Sequence, residues 1–152
     1  MRSGTSTLAG SRRATDEDRD VGSKAAIGAA ISKAAAIVTP TTVDEVCEAI
    51  RRSSGPVSVG GGHFSMGGQT ASPASLHLDM RRLNQILSFS PVDRTIRVQT
   101  GTRWCDLQRF LDPHGFAVKI MQTYANFTVG GSLSVNVHGR YIGLGPLILS
   151  VR

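Results

Sequence analysis

A glycine-rich stretch after a short apolar run is the first feature of this sequence that could do chemistry. The stretch VSVGGGHFSMGGQT, residues 57–70, places five glycines within nine residues. With no side chains in the way, successive backbone N–H groups can converge on the oxygens of an anion, and Ser65 and Gln69 add side-chain donors. The stretch therefore indicates a loop that binds an anion such as a phosphate. A glycine-rich turn without a ligand is the alternative that the residues leave open.

A second glycine motif lies about 65 residues further along the chain, in YANFTVGGSLSVNVHGR. Thr128 precedes a pattern typical of a short helix whose first turn contains Gly130 and Gly131. Backbone amides at a helix start favour an anion, so two such motifs suit a diphosphate held from both sides. Alternatively, the two glycines only allow the helix to pack closely on a sheet.

Several familiar sites are excluded by their spacing. A Rossmann fingerprint needs a third glycine where Ser65 stands, and a Walker P-loop needs Lys and then Ser or Thr where Gly68 and Gln69 stand. The four histidines and two cysteines show no zinc-ligand spacing, so no metal site is predicted. No nucleophile elbow is present, and the sequence assigns no catalytic residue.

The elements that must position the two motifs begin with strands. Strand patterns cover residues 35–38, 56–59, 76–80, 95–100 and 117–121. The alternation over residues 76–80 predicts that His77 lies on the surface. A further strand pattern begins at Leu147 and stops at Arg152 in mid-element, so we expect a truncated chain.

Two helices are predicted between these strands. Thr42 and Glu45 form a capping box at the start of the first one. Its apolar residues fall at i, i+3, i+4 and i+7, a spacing that predicts one buried stripe. They are Val43, Val46, Cys47 and Ile50. The second helix, within TRWCDLQRFLDPHG, is expected to turn Trp104, Leu107 and Leu111 inward.

The order of these elements predicts an α+β fold, a mixed β-sheet with covering helices. Residues 1–34 are interpreted as a flexible leader and an Ala-rich segment, and residues 35–152 as the folded domain. With 152 residues, 40% of them hydrophobic, the chain suffices for one compact core.

Composition also narrows the class of protein. No run of 18 apolar residues and no secretory signal is present, so no membrane partner is expected and the two cysteines are interpreted as thiols of a cytoplasmic protein. The net charge is +6, but the arginines are scattered, which argues against a nucleic-acid partner. A basic structural domain is the alternative, and salt-sensitive DNA binding would favour it.

Three segments, in this order, resemble the FAD-binding domain of the vanillyl-alcohol oxidase/p-cresol methylhydroxylase superfamily. They are IVTPTTVDEVCEAIRRSSGPVSVGGGHFSMGGQT, then LHLDMRRLNQIL with RTIRVQTGTRWCDLQRFLDPHG, and TVGGSLSVNVHGRYIGLGPLILSV, which is similar to cytokinin-dehydrogenase-like members. The resemblance covers about residues 35–152. It implies the first part of a PCMH-type domain that binds extended FAD, with the pyrophosphate on both glycine motifs.

The resemblance also implies contacts for individual residues. On the first motif these are Gly60, Gly61, Gly62, Ser65 and Gln69. On the second they are Thr123, Thr128, Gly130, Gly131 and Ser134. In many members a loop histidine is bonded covalently to the flavin. Counting from the glycines places that bond at His63, whereas counting back from Gln69 places Phe64 there and leaves the flavin non-covalent. His138 either faces the flavin or ends the preceding helix.

The function implied is that of a flavin-dependent oxidoreductase. Such an enzyme transfers a hydride from a small organic substrate to FAD, and oxygen or another acceptor reoxidises the flavin. Family enzymes continue into a substrate domain, so we expect this chain to be inactive alone. A truncated, non-catalytic nucleotide- or flavin-binding module is the alternative.

Overall fold

The computed structural model describes residues 28–65, 68–139 and 142–152, and within them helices and strands alternate. In chain order the elements are strand β1 (Ala36–Val38), helix α1 (Val43–Arg52), strands β2 (Val57–Gly60), β3 (Leu76–Asp79), β4 (Ile86–Ser90) and β5 (Thr95–Val98), and helices α2 (Trp104–Leu111) and α3 (Val129–Ser134). Short 3₁₀ helices cover Met80–Arg82, Asp112–His114 and Leu147–Ser150. The predicted α+β class is confirmed. The leader predicted at the N-terminus lies mostly outside the described residues.

The described strands form two separate sheets. Strands β1, β3 and β2 are parallel, in that spatial order, whereas β4 and β5 form an antiparallel hairpin. Strand β3 therefore has a neighbour on each side, and His77 and Leu78 are both buried although they point to opposite faces. The prediction that His77 lies on the surface is wrong, because a central strand of a parallel sheet is covered on both faces.

Helix α1 begins as the sequence predicts. The Thr42 hydroxyl accepts a hydrogen bond from the Glu45 backbone N–H at 3.2 Å. The reciprocal bond of a capping box is displaced by one residue, since the Glu45 carboxylate accepts from the Thr41 N–H at 2.6 Å. These bonds pair backbone N–H groups that have no partner inside the helix.

The apolar stripe of α1 is not buried as predicted. Val43 is 65% exposed, Ile50 is 47% exposed, and Val46 and Cys47 are half-buried. A groove between α1 and β1 is lined, on the helix, by Glu45, Glu48, Ala49 and Arg52, and by none of the four residues of the apolar stripe. Periodicity identifies the apolar face of a helix but does not say how closely a neighbour covers it.

The core lies between α2, the β4–β5 hairpin and the C-terminal segment. Trp104, Leu107 and Leu111 are buried, which confirms the predicted inner face of α2. Ile120 and Leu147 complete the buried cluster. The Trp104 indole N–H donates to the Ser132 hydroxyl at 2.8 Å inside this core, and so connects α2 to α3.

Two predicted strands are not strands. Residues 117–121 are irregular, and the Val118 N–H donates to the Gln108 side-chain carbonyl at 3.2 Å instead of to a neighbouring strand. The segment from Leu147 to Ser150 is a 3₁₀ helix. Ile120 and Leu147 are each only 1% exposed, so both apolar runs mark burial and not strand pairing. Within the described residues, no helix is long and apolar enough to cross a bilayer.

Candidate functional site

The two glycine motifs meet around a cavity of about 220 Å³. Residues 60–65, which continue from the carboxyl end of β2, form one wall. The opposite wall is formed by the start of α3, with Thr128, Gly130, Gly131 and Ser134. Ten of the twelve residues that the resemblance implies therefore lie around one cavity. Their assignment as cofactor contacts stays a prediction.

Direct contact between the motifs depends on Gly61. A Cβ at Gly61 would lie 2.5 Å from the Thr128 hydroxyl oxygen, so any other residue would push the loop and the helix apart. The same oxygen accepts the Gly131 backbone N–H at 3.3 Å and thereby caps α3. Thr128 is 3% exposed, so its hydroxyl has little room to move away. The loop of residues 60–65 thus packs directly against Thr128, the residue that caps α3.

Close packing against Thr100 explains why position 130 is occupied by glycine. A Cβ there would overlap the Thr100 hydroxyl, and the Gly130 backbone N–H donates to the Thr100 carbonyl at 2.8 Å. The packing alternative raised by the sequence therefore accounts for this glycine. Gly131 differs, because it is exposed and a Cβ there would meet only the Thr128 hydroxyl, at 3.0 Å.

Gln69 and Thr123 are exposed and are not among the residues that form the cavity wall. Sequence reasoning missed eight wall residues. Six of them belong to the two motif stretches, namely Val59, Thr70, Phe127, Ser132, Val135 and Val137, and the fold brings in Met80 and Thr100 from elsewhere. A signal was available for Thr100, which follows the carboxyl end of β5 within the QTGT stretch. Met80 reaches the wall only through tertiary packing.

The wall carries buried polar atoms that suit a polar ligand. Within the described residues, His63 Nε2 and the Thr70 hydroxyl oxygen are buried and have no hydrogen-bond partner. His63 has φ +61°, a left-handed conformation that is uncommon for a residue with a side chain. Buried polar groups are normally paired, so the unpaired Thr70 hydroxyl on the cavity wall indicates a place for a polar ligand.

Two neutral histidines and one ion-paired aspartate determine the charge around the loop of residues 60–65. Burial lowers the pKa of His63, and the positive charge of Arg81 lowers it further. Burial also lowers the pKa of His77. For Asp79, burial would raise the pKa, but hydrogen bonds from Arg81, including Nε to Oδ1 at 2.8 Å, outweigh burial and lower it. The carboxylate is thus neutralised by its neighbour, which suits an anionic ligand nearby.

Aromatic rings flank the cavity on the Phe64 side. The Phe64 ring centroid lies 5.0 Å from that of Phe127 and 5.1 Å from that of Tyr124. Phe64 and His63 both line the wall, so either position is available for the residue that the resemblance places next to a flavin. His138 is exposed, outside the wall, and its Nδ1 lies 3.3 Å from the Gly139 carbonyl oxygen.

No metal site accompanies the cavity. Among the residues described, no three His, Cys, Asp or Glu side chains lie close enough to hold a metal ion together. Cys47 and Cys105 are both free thiols and half-buried.

Comparison with known proteins defines the class. The FAD binding domain family matches residues 34–148. The chain therefore belongs to this family, and with it to the vanillyl-alcohol oxidase/p-cresol methylhydroxylase superfamily that its motifs resemble. FAD is its cofactor, as predicted. The cavity is smaller than the roughly 300–1,000 Å³ typical of whole ligand sites.

Two relatives of known name are oxidases. The chain is 30% identical over 116 residues to an alditol oxidase of Streptomyces sp. (strain IKD472 / FERM P-14339), an alignment that covers 74% of this chain and 28% of the relative. It is 28% identical over 108 residues to a D-arabinono-1,4-lactone oxidase of Candida glabrata, with 66% and 20% covered. The chain thus spans about a quarter of the length of these relatives.

A solved structure supports the same fold. An alkyldihydroxyacetonephosphate synthase superposes with a TM-score of 0.60 at 22% sequence identity. The superposition covers 68% of this chain and 21% of the synthase. At this identity the likeness concerns the fold alone.

Proposed function

We propose that this chain holds the diphosphate part of FAD for an oxidoreductase that takes a hydride from a carbon bearing a hydroxyl group. The observation that carries the proposal is the contact between the two glycine motifs around one cavity, where the glycine backbone of the first motif faces α3. The N–H groups of Val129, Gly130 and Gly131 bond within the fold, so on this proposal the backbone donors to the anion belong to residues 60–65. FAD supplies the redox chemistry when bound, since its flavin ring accepts the hydride.

The chain's own part in this proposal is binding and orientation. Residues 60–65 and the start of α3 hold the diphosphate, and Ser65 adds a hydroxyl donor from the first wall. The substrate class is supported by the names of two relatives, an alditol oxidase and a lactone oxidase, both of which denote hydroxyl-bearing substrates. Contacts to the substrate are assigned, on this proposal, to parts of those relatives that the alignment does not cover. A cytoplasmic location stays a prediction.

The test is a visible absorption spectrum of the purified chain after incubation with FAD and removal of the excess. We expect flavin bands that remain with the protein. The matched variant Gly61→Ala should lose most of them, because its Cβ separates the two walls. Retention of equal flavin by this variant would contradict the proposed site. A colourless wild-type protein would contradict binding by this chain alone.

Acid precipitation of the yellow protein addresses the link to the flavin. Colour in the pellet would assign a covalent bond, and the His63→Ala variant should then release the colour to the supernatant. Colour in the supernatant of the wild type would favour the alignment that places Phe64 at the attachment position.

Flavin binding without turnover is the second candidate function. It is supported by the share of the relatives that the chain spans, about a quarter. Bleaching of bound FAD by an alditol under anaerobic conditions would favour the enzyme, whereas bound FAD that no polyol or sugar lactone reduces would favour the binding module.

A further inference from the structure

Two histidine rings meet against one glycine behind the cavity wall. A Cβ at Gly60 would lie 2.7 Å from His77 Nε2 and 3.2 Å from His63 Nε2, and the two ring centroids are 6.3 Å apart. Among the described residues neither Nε2 has a hydrogen-bond partner, although both atoms are buried. Two unpaired nitrogens that approach the same point require an explanation, because buried polar groups are normally paired.

A chain of serines determines which nitrogen of His77 carries the proton. The Ser75 hydroxyl donates to the Ser72 carbonyl at 2.7 Å, which uses its single proton. The Ser58 hydroxyl, 2.9 Å from the Ser75 oxygen, must therefore donate to Ser75. His77 Nδ1 lies 2.8 Å from the Ser58 oxygen and is left to donate its own N–H to Ser58. His77 is thus protonated on Nδ1, and its Nε2 carries a lone pair.

The lone pair on His77 has a consequence for His63. Burial lowers the pKa of both rings, so both are neutral at pH 7.5. A neutral His63 can pair with the lone pair of His77 only if its own proton is on Nε2. The two nitrogens pair directly once the His63 ring rotates to bring its Nε2 N–H to the lone pair of His77. The Nδ1 of His63 is then left with a lone pair.

We propose that His77 is a positioning residue for the flavin site: its Nε2 accepts the Nε2 proton of His63 directly, and so fixes His63 as the tautomer with a lone pair on Nδ1. This inference rests on the proposed function, since His63 lines the cavity assigned to FAD. A lone pair there accepts a hydrogen bond from the cofactor, which carries suitable donors in its hydroxyl groups and its flavin ring N–H.

The first experiment observes the tautomers without any ligand. The full chain labelled with 15N-histidine is studied at pH 7.5 by long-range 1H–15N spectra, which distinguish a protonated ring nitrogen from one with a lone pair. The chain has four histidines, and His63→Gln and His77→Gln assign the two signals. We expect His77 protonated on Nδ1 and His63 protonated on Nε2. His77 protonated on Nε2, or His63 on Nδ1, would overturn the inference whether or not FAD binds.

The second experiment connects the tautomer to the cofactor. Ser58→Ala removes the acceptor that holds the His77 proton, so we expect mixed tautomers and an FAD affinity lowered about fivefold, the factor expected from one hydrogen bond. Ser58→Thr keeps the hydroxyl and should restore the single tautomers and the wild-type FAD affinity. Ser53→Ala is the matched control, because Ser53 donates to the Gly55 carbonyl outside the serine chain.

The outcomes separate this inference from the proposed function. Mixed tautomers in Ser58→Ala with wild-type FAD affinity would overturn the positioning role. Should Ser58→Ala fail to fold, the wild-type tautomers and the Ser58→Thr affinity still decide. If the wild type binds no FAD, the proposed function fails, and the positioning role fails with it even where the tautomers are as expected.

Discussion

Gly61 is the residue at which a single methyl group has the clearest expected effect. Its Cβ would lie 2.5 Å from the Thr128 hydroxyl oxygen, which is held in place by the capping bond to Gly131. We expect Gly61→Ala to lower the free energy of unfolding by about 1–3 kcal/mol, as overpacking does. Urea unfolding followed by circular dichroism measures this change.

A control for that prediction is Gly55→Ala. The nearest atom to a Cβ at Gly55 is the Ala74 carbonyl oxygen at 3.9 Å, an ordinary contact. The control should be neutral or slightly stabilising, because alanine restricts the unfolded chain more than glycine does. Equal losses in both variants would mean that the contact with Thr128 is not the cause.

Protonation of the histidine pair gives a pH dependence with a definite sign. The pKa of His63 and that of His77 are lowered in the folded protein, so the unfolded chain binds protons at a pH where the folded chain does not. Stability therefore falls as the pH decreases below about 6.5, the ordinary pKa of histidine. The charge of Asp79 raises the pKa of both histidines and the charge of Arg81 lowers it, but burial has the largest effect on both.

The measurement is the urea midpoint between pH 7.5 and 5.5, above the range in which carboxylates titrate. We expect a decreasing midpoint in the wild type and a weaker dependence in His77→Gln. His114→Gln, exposed beyond the end of α2, should follow the wild type. A flat wild-type profile would show that the pair is not held neutral by the fold.

At the scale of elements, the contact between α2 and α3 includes one buried hydrogen bond. Trp104→Phe keeps an aromatic ring but loses the five-membered ring with its N–H, so the unpaired Ser132 hydroxyl costs about 1–3 kcal/mol in addition to the cavity left by the smaller side chain. Ser132→Ala in the Trp104→Phe background should cost little more, because the bond is already gone. A double-mutant cycle by urea unfolding measures the coupling, and strictly additive losses would contradict it.

Some features of the helices and strands could be predicted from the sequence and others could not. Caps at Thr42 and Thr128 and the inner face of α2 follow from local chemistry, and the structure confirms all three. Burial of the α1 stripe and exposure of His77 were predicted wrongly, because both depend on which neighbours cover an element. Local patterns identify caps and apolar faces, but tertiary contacts determine what is covered.

At the scale of the whole molecule, the cofactor should stabilise the fold. A ligand that binds only the folded chain at 100 times its Kd adds about 2.7 kcal/mol, which raises the Tm of a chain of this size by about 5–10 °C. We expect FAD to produce this shift in differential scanning fluorimetry. Riboflavin, which lacks the diphosphate, should produce a much smaller one, and equal shifts would contradict the diphosphate site.

The sequence predicted two glycine motifs that hold one ligand from both sides, and the fold brings these motifs together. It could not place Met80 on the wall, because Met80 belongs to neither motif and arrives through packing. Gln69 and Thr123, which follow from the resemblance, are outside the wall.

The contact between Gly61 and Thr128 also has a consequence for folding kinetics. The two residues are more than sixty positions apart, so the contact forms only after a long loop has closed, an event that costs chain entropy and slows folding. FAD, which needs both glycine motifs, binds after that barrier and so should slow the unfolding of the chain while leaving its folding rate unchanged.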